Sequence, residues 1–341
     1  MLVSRSERAD VDVGGGRRPK QVGVQHQGRR RRGQPAKVSS ARALPDPGGD
    51  PARRLAPPPR ALLGGTHHAP GGIPASLWHA VLMRNPTEWR FLEGFLGYGV
   101  LHPRFLFVGL EEGTREGDEE RNLDVRLAHP EVFGQATANK DDALRLLYPG
   151  LAADDVQQWA VAAAIVSRIT RALGESDTAP AIASLGSKTG CSLLGELLPV
   201  PRFGRATFPV TRFGFKGETA YFRAALGRNA AGALNRDGDT RPPRWVALQA
   251  LVNGQGPRKR PDYIVCYGYT WRRVFDQLVG PLVAVRRSCL GDRVYMLGRT
   301  PHGSVVAITG FFKTKSRHKT DILPVHAEQL ATDLVAARVP T

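Results

Sequence analysis

Arg104-Phe105-Leu106-Phe107-Val108-Gly109 is the stretch on which the fold turns. Four apolar residues bounded by a charge and a glycine read as a strand buried on both faces. The pattern returns at Asp262-Tyr263-Ile264-Val265-Cys266-Tyr267-Gly268, glycine included. Two further strands are read at Leu193–Pro199, where a helix-to-strand passage is the alternative, and at Arg293–Leu297. Helices fill the intervals. Asp154 to Leu173 opens on two acids, which suit the positive end of a helix dipole, and carries Ala and Ile at helical spacing. Pro243 to Val252 has its proline pair at the start, Tyr269 to Leu278 follows a strand at once, and an amphipathic Val325–Arg338 closes the chain. Ser76–Met83 reads as an earlier helix with Ser76 as its N-cap. Strands alternating with helices predict an α/β fold with a parallel sheet covered on both faces. Functional residues are then expected on loops beyond the carboxyl ends of strands, namely after Val108, around Pro199 and after Leu297.

The 341 residues carry 48 Lys+Arg against 31 Asp+Glu, a formal net charge of +17. Residues 1–60 hold 14 of those basic residues and 5 of the acids, so the other 281 residues carry only +8. Residues 1–75 contain 12 Gly and 10 Pro, the run Arg29–Arg32 and the triplet Pro57–Pro59, without apolar periodicity. Such a segment cannot bury enough surface to offset its ordering entropy. The reading is a disordered basic arm over 1–75 and a single folded domain over 76–341. The arm either holds nucleic acid by releasing counterions or is a solvated tail.

Other classes fall away. Cys191, Cys266 and Cys289 are far apart with no C-x-x-C pair, and no histidine pair has ligand spacing on a helix, so no metal and no cofactor is expected. Unpaired cysteines suit a reducing cytoplasm. No apolar run reaches the roughly 18 residues of a membrane span, and the N-terminus lacks the apolar stretch of a secretory signal. G-x-G-x-x-G, H-E-x-x-H and G-x-S-x-G are all missing. Gly186-Ser187-Lys188-Thr189-Gly190 lacks the glycine that a Walker loop places before its lysine.

Phe107-Val108-Gly109-Leu110-Glu111-Glu112-Gly113, then Glu196-Leu197-Leu198-Pro199, and finally Leu297-Gly298-Arg299-Thr300-Pro301-His302-Gly303-Ser304 come in a fixed order. In order and spacing the set resembles the uracil-DNA glycosylase superfamily, in particular its divergent bacterial members with a Gly-Leu-Glu first motif. The resemblance spans roughly 76–338. It implies a three-layer α/β/α fold around a central, mainly parallel four-stranded sheet. The activity it implies is hydrolysis of the N-glycosidic bond of a flipped base in DNA, by a monomer without a membrane partner. A catalytically inactive base-binding protein of the same fold and a small-nucleoside hydrolase are the alternatives.

By the same resemblance, Glu111 and His302 are the catalytic candidates. A carboxylate near an oxocarbenium-like sugar lowers its barrier electrostatically, and an imidazole can spread the charge of the departing base. Glu112 occupies the family's proline position, and both acids also fit a first helical turn. Gly109, Leu110, Phe133 and Glu196 are the base-binding candidates, with Tyr148 the alternative aromatic platform. Family members that read uracil carry Asn where Glu196 stands. An ionised carboxylate only accepts, so it suits an exocyclic amine or ring N–H better than a carbonyl. Ser304, Lys313, Lys315, Arg317 and Lys319 are the DNA-binding candidates, with Arg258-Lys259-Arg260 extending the surface. The acidic segment Glu111–Arg121 opposes phosphate unless it faces away.

Overall fold

The computed structural model describes residues 84–110, 113–114, 117–151, 156–175, 181–201, 210–227, 242–254, 260–290, 293–313 and 321–338. The basic arm and the expected helix Ser76–Met83 lie outside the described residues. So do Glu111, Glu112, Arg258, Lys259, Lys315, Arg317 and Lys319.

The fold is α/β. Its strands are β1 (Gly97–Gly99), β2 (Phe105–Gly109), β3 (Thr137–Ala138), β4 (Ser192–Glu196), β5 (Tyr263–Tyr267), β6 (Val283–Leu290), β7 (Arg293–Arg299) and β8 (Val305–Thr309). The longer helices are α1 (Pro86–Gly94), α2 (Glu119–Ala128), α3 (Lys140–Leu147), α4 (Gln157–Ala172), α5 (Glu218–Leu226), α6 (Pro243–Asn253), α7 (Arg272–Val279) and α8 (Ala327–Arg338). All eight strands form one sheet in the order β3-β1-β4-β2-β5-β8-β7-β6. The central four, β4-β2-β5-β8, are parallel; β1 joins antiparallel to β4, and β6 and β7 continue antiparallel beyond β8. The expected four-stranded sheet is therefore the middle of a larger mixed one. Among the described residues no helix is long and apolar enough to cross a membrane.

Burial on both sides explains the composition of the central strands. Phe105, Phe107, Tyr263, Val265, Val305 and Ala307 enter one core with Val161, Ile165 and Ile169 of α4 and Leu330 and Leu334 of α8. Their neighbours Leu106, Val108, Ile264, Cys266, Val306 and Ile308 enter the other, with α1, α5, α6 and α7. Strict alternation across a continuous apolar run is what a doubly covered parallel sheet requires. The spacing of Val161, Ile165 and Ile169 is the i, i+4, i+8 stripe of one helix face.

The last parallel strand is not the one the sequence pointed to. Arg293–Leu297, read as that strand, belongs to β7, which runs antiparallel to β8. The two are joined by the tight turn Thr300–Ser304, closed by the Thr300 N–H on Ser304 O at 2.9 Å and the Ser304 N–H on Thr300 Oγ1 at 3.1 Å. A connection this short permits only antiparallel neighbours, because a parallel crossover needs a dozen or so residues. The fourth parallel strand is instead Val305–Thr309, an apolar, largely β-branched run.

Central and edge positions should differ in stability. Ile264→Ala, at a fully buried site on β5, is expected to cost about 2–5 kcal/mol in urea unfolding. Val283→Ala, at a half-exposed position of the edge strand β6, is expected to change stability by less than about 0.5 kcal/mol.

Candidate functional site

The connection leaving β2 runs through α4 on one face of the sheet, whereas that leaving β4 runs through α5 and α6 on the other. Adjacent parallel strands whose exits part in this way leave a crevice at their carboxyl ends. A cavity of about 530 Å³ opens there, lined by Tyr98, Thr114, Tyr148, Trp159, Glu196, Phe312 and Lys313, with Leu144, Leu147 and Leu151 among its apolar walls.

Glu196, the last residue of β4, pairs in register with Gly109, the last of β2. A Cβ on Gly109 would meet Glu196 Oε2 at 2.4 Å and the Tyr267 hydroxyl at 2.6 Å, so the glycine exists to let these two side chains cross the strand end. Tyr267 donates to Glu196 Oε1 at 3.4 Å and stacks on Phe312, with centroids 4.9 Å apart and planes 20° apart. Tyr98 meets Trp159 edge-on at 6.0 Å. It sits between two glycines on β1; at Gly97, φ is +147° and a Cβ would lie 2.0 Å from Leu194 O.

The polar back of the cavity is a chain of fixed groups. Buried Arg126 of α2 donates to the Tyr98 hydroxyl at 3.1 Å and to Asn122 Oδ1 at 2.7 Å, while Asn122 Nδ2 donates to the Tyr148 hydroxyl at 3.0 Å. The guanidinium also lies over the rings of Phe95 and Phe133, at 5.3 and 5.2 Å. At the rim, Lys313 faces Asp321 at 3.5 Å and lies over the Phe311 ring at 5.8 Å.

Beneath Glu196 lies a buried cation. Arg244, in the first turn of α6, donates to the carbonyls of Leu197 (2.8 Å), Glu93 (3.1 Å), Phe95, Glu196 (2.6 Å) and Leu198 (3.5 Å). The same segment gives its N–H groups to Leu96 O, Gly109 O and Leu110 O from Glu196, Leu197 and Leu198 respectively. Both sides of a buried non-regular stretch are thus satisfied. Burial pushes Arg244 down to about 10, against the opposing influence of Tyr221, Glu196 and Glu93, which leaves it cationic at neutral pH. Burial likewise pushes the Glu93 carboxyl above its ordinary value, opposed by the hydrogen bond it accepts from the Arg244 backbone and by the Arg244 and Arg90 charges.

The structure thus brings Gly109, Glu196 and Lys313 to one place, with Tyr148 as an aromatic wall. Other residues singled out from the sequence lie elsewhere. Phe133 is 1% exposed and packs edge-on against Phe95, so it is core rather than platform. The Leu110 side chain enters the opposite core. His302 and Ser304 sit in the β7–β8 turn, at the amino ends of the parallel strands. Val305 is level with Ser192 through Tyr263 and Phe105. Glu196 lies four residues further on, about 13 Å along the strand axis. His302 therefore does not join Glu196, and Ser304 does not share a surface with Lys313.

Tyr98, Trp159, Tyr267 and Arg244 were not read from the sequence as site residues. Arg244 left a signal: a lone cation in the first helical turn, flanked by Pro243 and Trp245, stands against the helix dipole. The aromatics left none that distinguishes them from core. No three His, Cys, Asp or Glu among the described residues are grouped as a metal site would need. Compared with known protein families, curated proteins and solved structures, the chain matches none of them.

Two substitutions test this arrangement. Arg244→Met strands buried carbonyls and is expected to cost about 3–5 kcal/mol in chemical unfolding. Glu93 has a folded-state value raised above 4.5, so its contribution is fully present below that pH and is lost as pH rises through the folded value. Glu93→Gln should remove this loss. The thermal midpoint of the variant, relative to wild type, is expected to climb between about pH 4 and pH 7.

Proposed function

We propose that the cavity takes a base turned out of a DNA strand and that the chain hydrolyses its N-glycosidic bond, acting as a glycosylase-like monomer. The observation that carries this reading is the set of rings around one carboxylate: Tyr98, Tyr148, Trp159 and Phe312 with Glu196, in a space large enough for a base and its sugar. The first two strand-end motifs, which meet where Gly109 pairs with Glu196, support it as well. In the reaction, a water oxygen bonds to C1′ and the C1′–N bond breaks, its electron pair leaving with the base. The proton that the water gives up ends on that base. Glu111, two residues beyond Gly109 in the chain, is our candidate for holding the water and offsetting the sugar cation. Lys313 lines the cavity and offers a positive charge to the departing base.

The position of His302 favours a second reading, in which the base is bound without hydrolysis. One experiment separates the two. Oligonucleotides containing uracil, hypoxanthine, xanthine or oxidised guanine are incubated with the full chain, then assayed for retention and for alkali-labile abasic sites. Hydrolysis predicts abasic sites with at least one substrate, falling about 100- to 1,000-fold in Glu111→Gln while retention is unchanged. Retention without abasic sites supports the second reading, and neither outcome in any oligonucleotide overturns both.

A further inference from the structure

We infer that the surface beside the cavity, where β5 and β8 end, holds the single strand continuing from the turned-out base. Arg272 and Arg273 meet its phosphates, and Tyr269 stacks on a neighbouring base. This rests on the base-binding reading above. β5 and β8 are paired in register to their ends, Tyr267 with Thr309, and adjacent strands lie about 4.8 Å apart. Their exits stay together. The Gly268 N–H donates to Thr309 O at 2.9 Å, and a Cβ on Gly268 would touch the Phe311 ring at 3.4 Å. One exit leads through Phe311 to Phe312 and Lys313 in the cavity wall. The other leads to Tyr269 and the first turn of α7. The cavity rim and the segment Tyr269–Arg273 therefore adjoin.

Both exits carry an aromatic ring with a cation over it. Arg272 lies over the Tyr269 ring at 5.5 Å and donates to its hydroxyl at 3.2 Å, and Lys313 lies over the Phe311 ring at 5.8 Å. Arg272 and Arg273 are exposed, and Tyr269 is partly buried. Folding does not call for two arginines here. They stand in the first turn of α7, which has no acid, where a positive charge opposes the helix dipole. The one acid of α7 is Asp276, whose carboxyl burial raises above its ordinary value against the charge of Arg272. Two exposed cations and one partly buried acid leave this end of the helix positive. Across from it, Asp321 is buried and faces Lys313 at 3.5 Å. Exposed cations with a ring among them suit single-stranded nucleic acid, whose phosphates release counterions to the cations while an unstacked base lies on the ring. A base turned out of the stack leaves its neighbour with an uncovered face, which Tyr269 can cover.

The test uses the full chain and two kinds of probe. Fluorescence anisotropy follows a labelled thymidylate strand of about ten nucleotides, alone and as its duplex with adenylate. Calorimetry follows the free 2′-deoxynucleosides of uracil, hypoxanthine, xanthine and oxidised guanine. The double variant Arg272→Gln/Arg273→Gln is expected to bind the strand about tenfold more weakly. Its slope of log affinity against log salt is expected to be shallower by about 1.4, the worth of two phosphate contacts on a single strand. Tyr269→Leu is expected to weaken the strand about fivefold or more at an unchanged slope. Nucleoside affinities are expected to stay at wild-type values in both. Unchanged strand affinity and slope in the double arginine variant overturn the inference. So does a duplex bound as tightly as the strand, or an equal loss of nucleoside binding; all three leave base binding intact. Failure of every nucleoside to bind the wild-type chain overturns the base-binding reading itself, and with it the place given to the strand.

Discussion

The arrangement at the carboxyl ends of the strands depends on one buried guanidinium. Arg244 reaches carbonyls before β1 and carbonyls after β4, two segments that meet at the crevice. Its planar fork can satisfy several oxygens at fixed angles, which the compact ammonium of a lysine cannot. Desolvating the charge is costly, and the carbonyl dipoles around it offset that cost. What the protein gains is position. The turn after β4, which begins at Glu196, is held on its carbonyl side by Arg244 and on its N–H side by Leu96, Gly109 and Leu110.

A second constraint acts on the opposite side of the same residue. The register that sets Gly109 against Glu196 leaves room for the carboxylate and the Tyr267 hydroxyl only because position 109 has no side chain. The strand pairing, the glycine and the arginine each hold Glu196 from a different direction. A preorganised acceptor of this kind is what recognition of a polar ligand edge needs, since groups already ordered by folding need no further ordering on binding.

The two ends of the sheet have different work to do. At the amino ends, Arg104 is bonded in a bidentate manner to Glu175 and also to Asp262, which Arg338 of α8 reaches as well. These pairs are partly exposed and tie helix ends to strand starts, a role in which ion pairs contribute modestly. Phe105 and Tyr263 stack beneath them with planes 9° apart. At the carboxyl ends, by contrast, the polar groups line a cavity. The position of His302 at the amino ends is the feature that most alters the functional picture drawn from motifs.

The sequence by itself determined the alternation of strands and helices, because runs such as Phe105–Gly109 and Tyr263–Tyr267 allow no solvent-exposed face. Gly109 was legible as a strand end, since it follows an apolar run at once; that Glu196 ends the neighbouring strand in register with it was not, because the sequence reads the segment on to Pro199. Strand direction was beyond it. Nothing local in Arg293–Leu297 says whether it runs with or against its neighbour; that depended on Val305–Thr309 forming the next strand after only five intervening residues. A strand's apolar residues report burial, whereas its orientation is set by the length and path of the connection. The aromatics divided in the same way. Phe133 and Tyr148 read alike in sequence, and only tertiary packing sent one beneath Arg126 and the other to the cavity wall, because hydrophobic burial is non-directional and leaves the choice of face to the neighbouring elements.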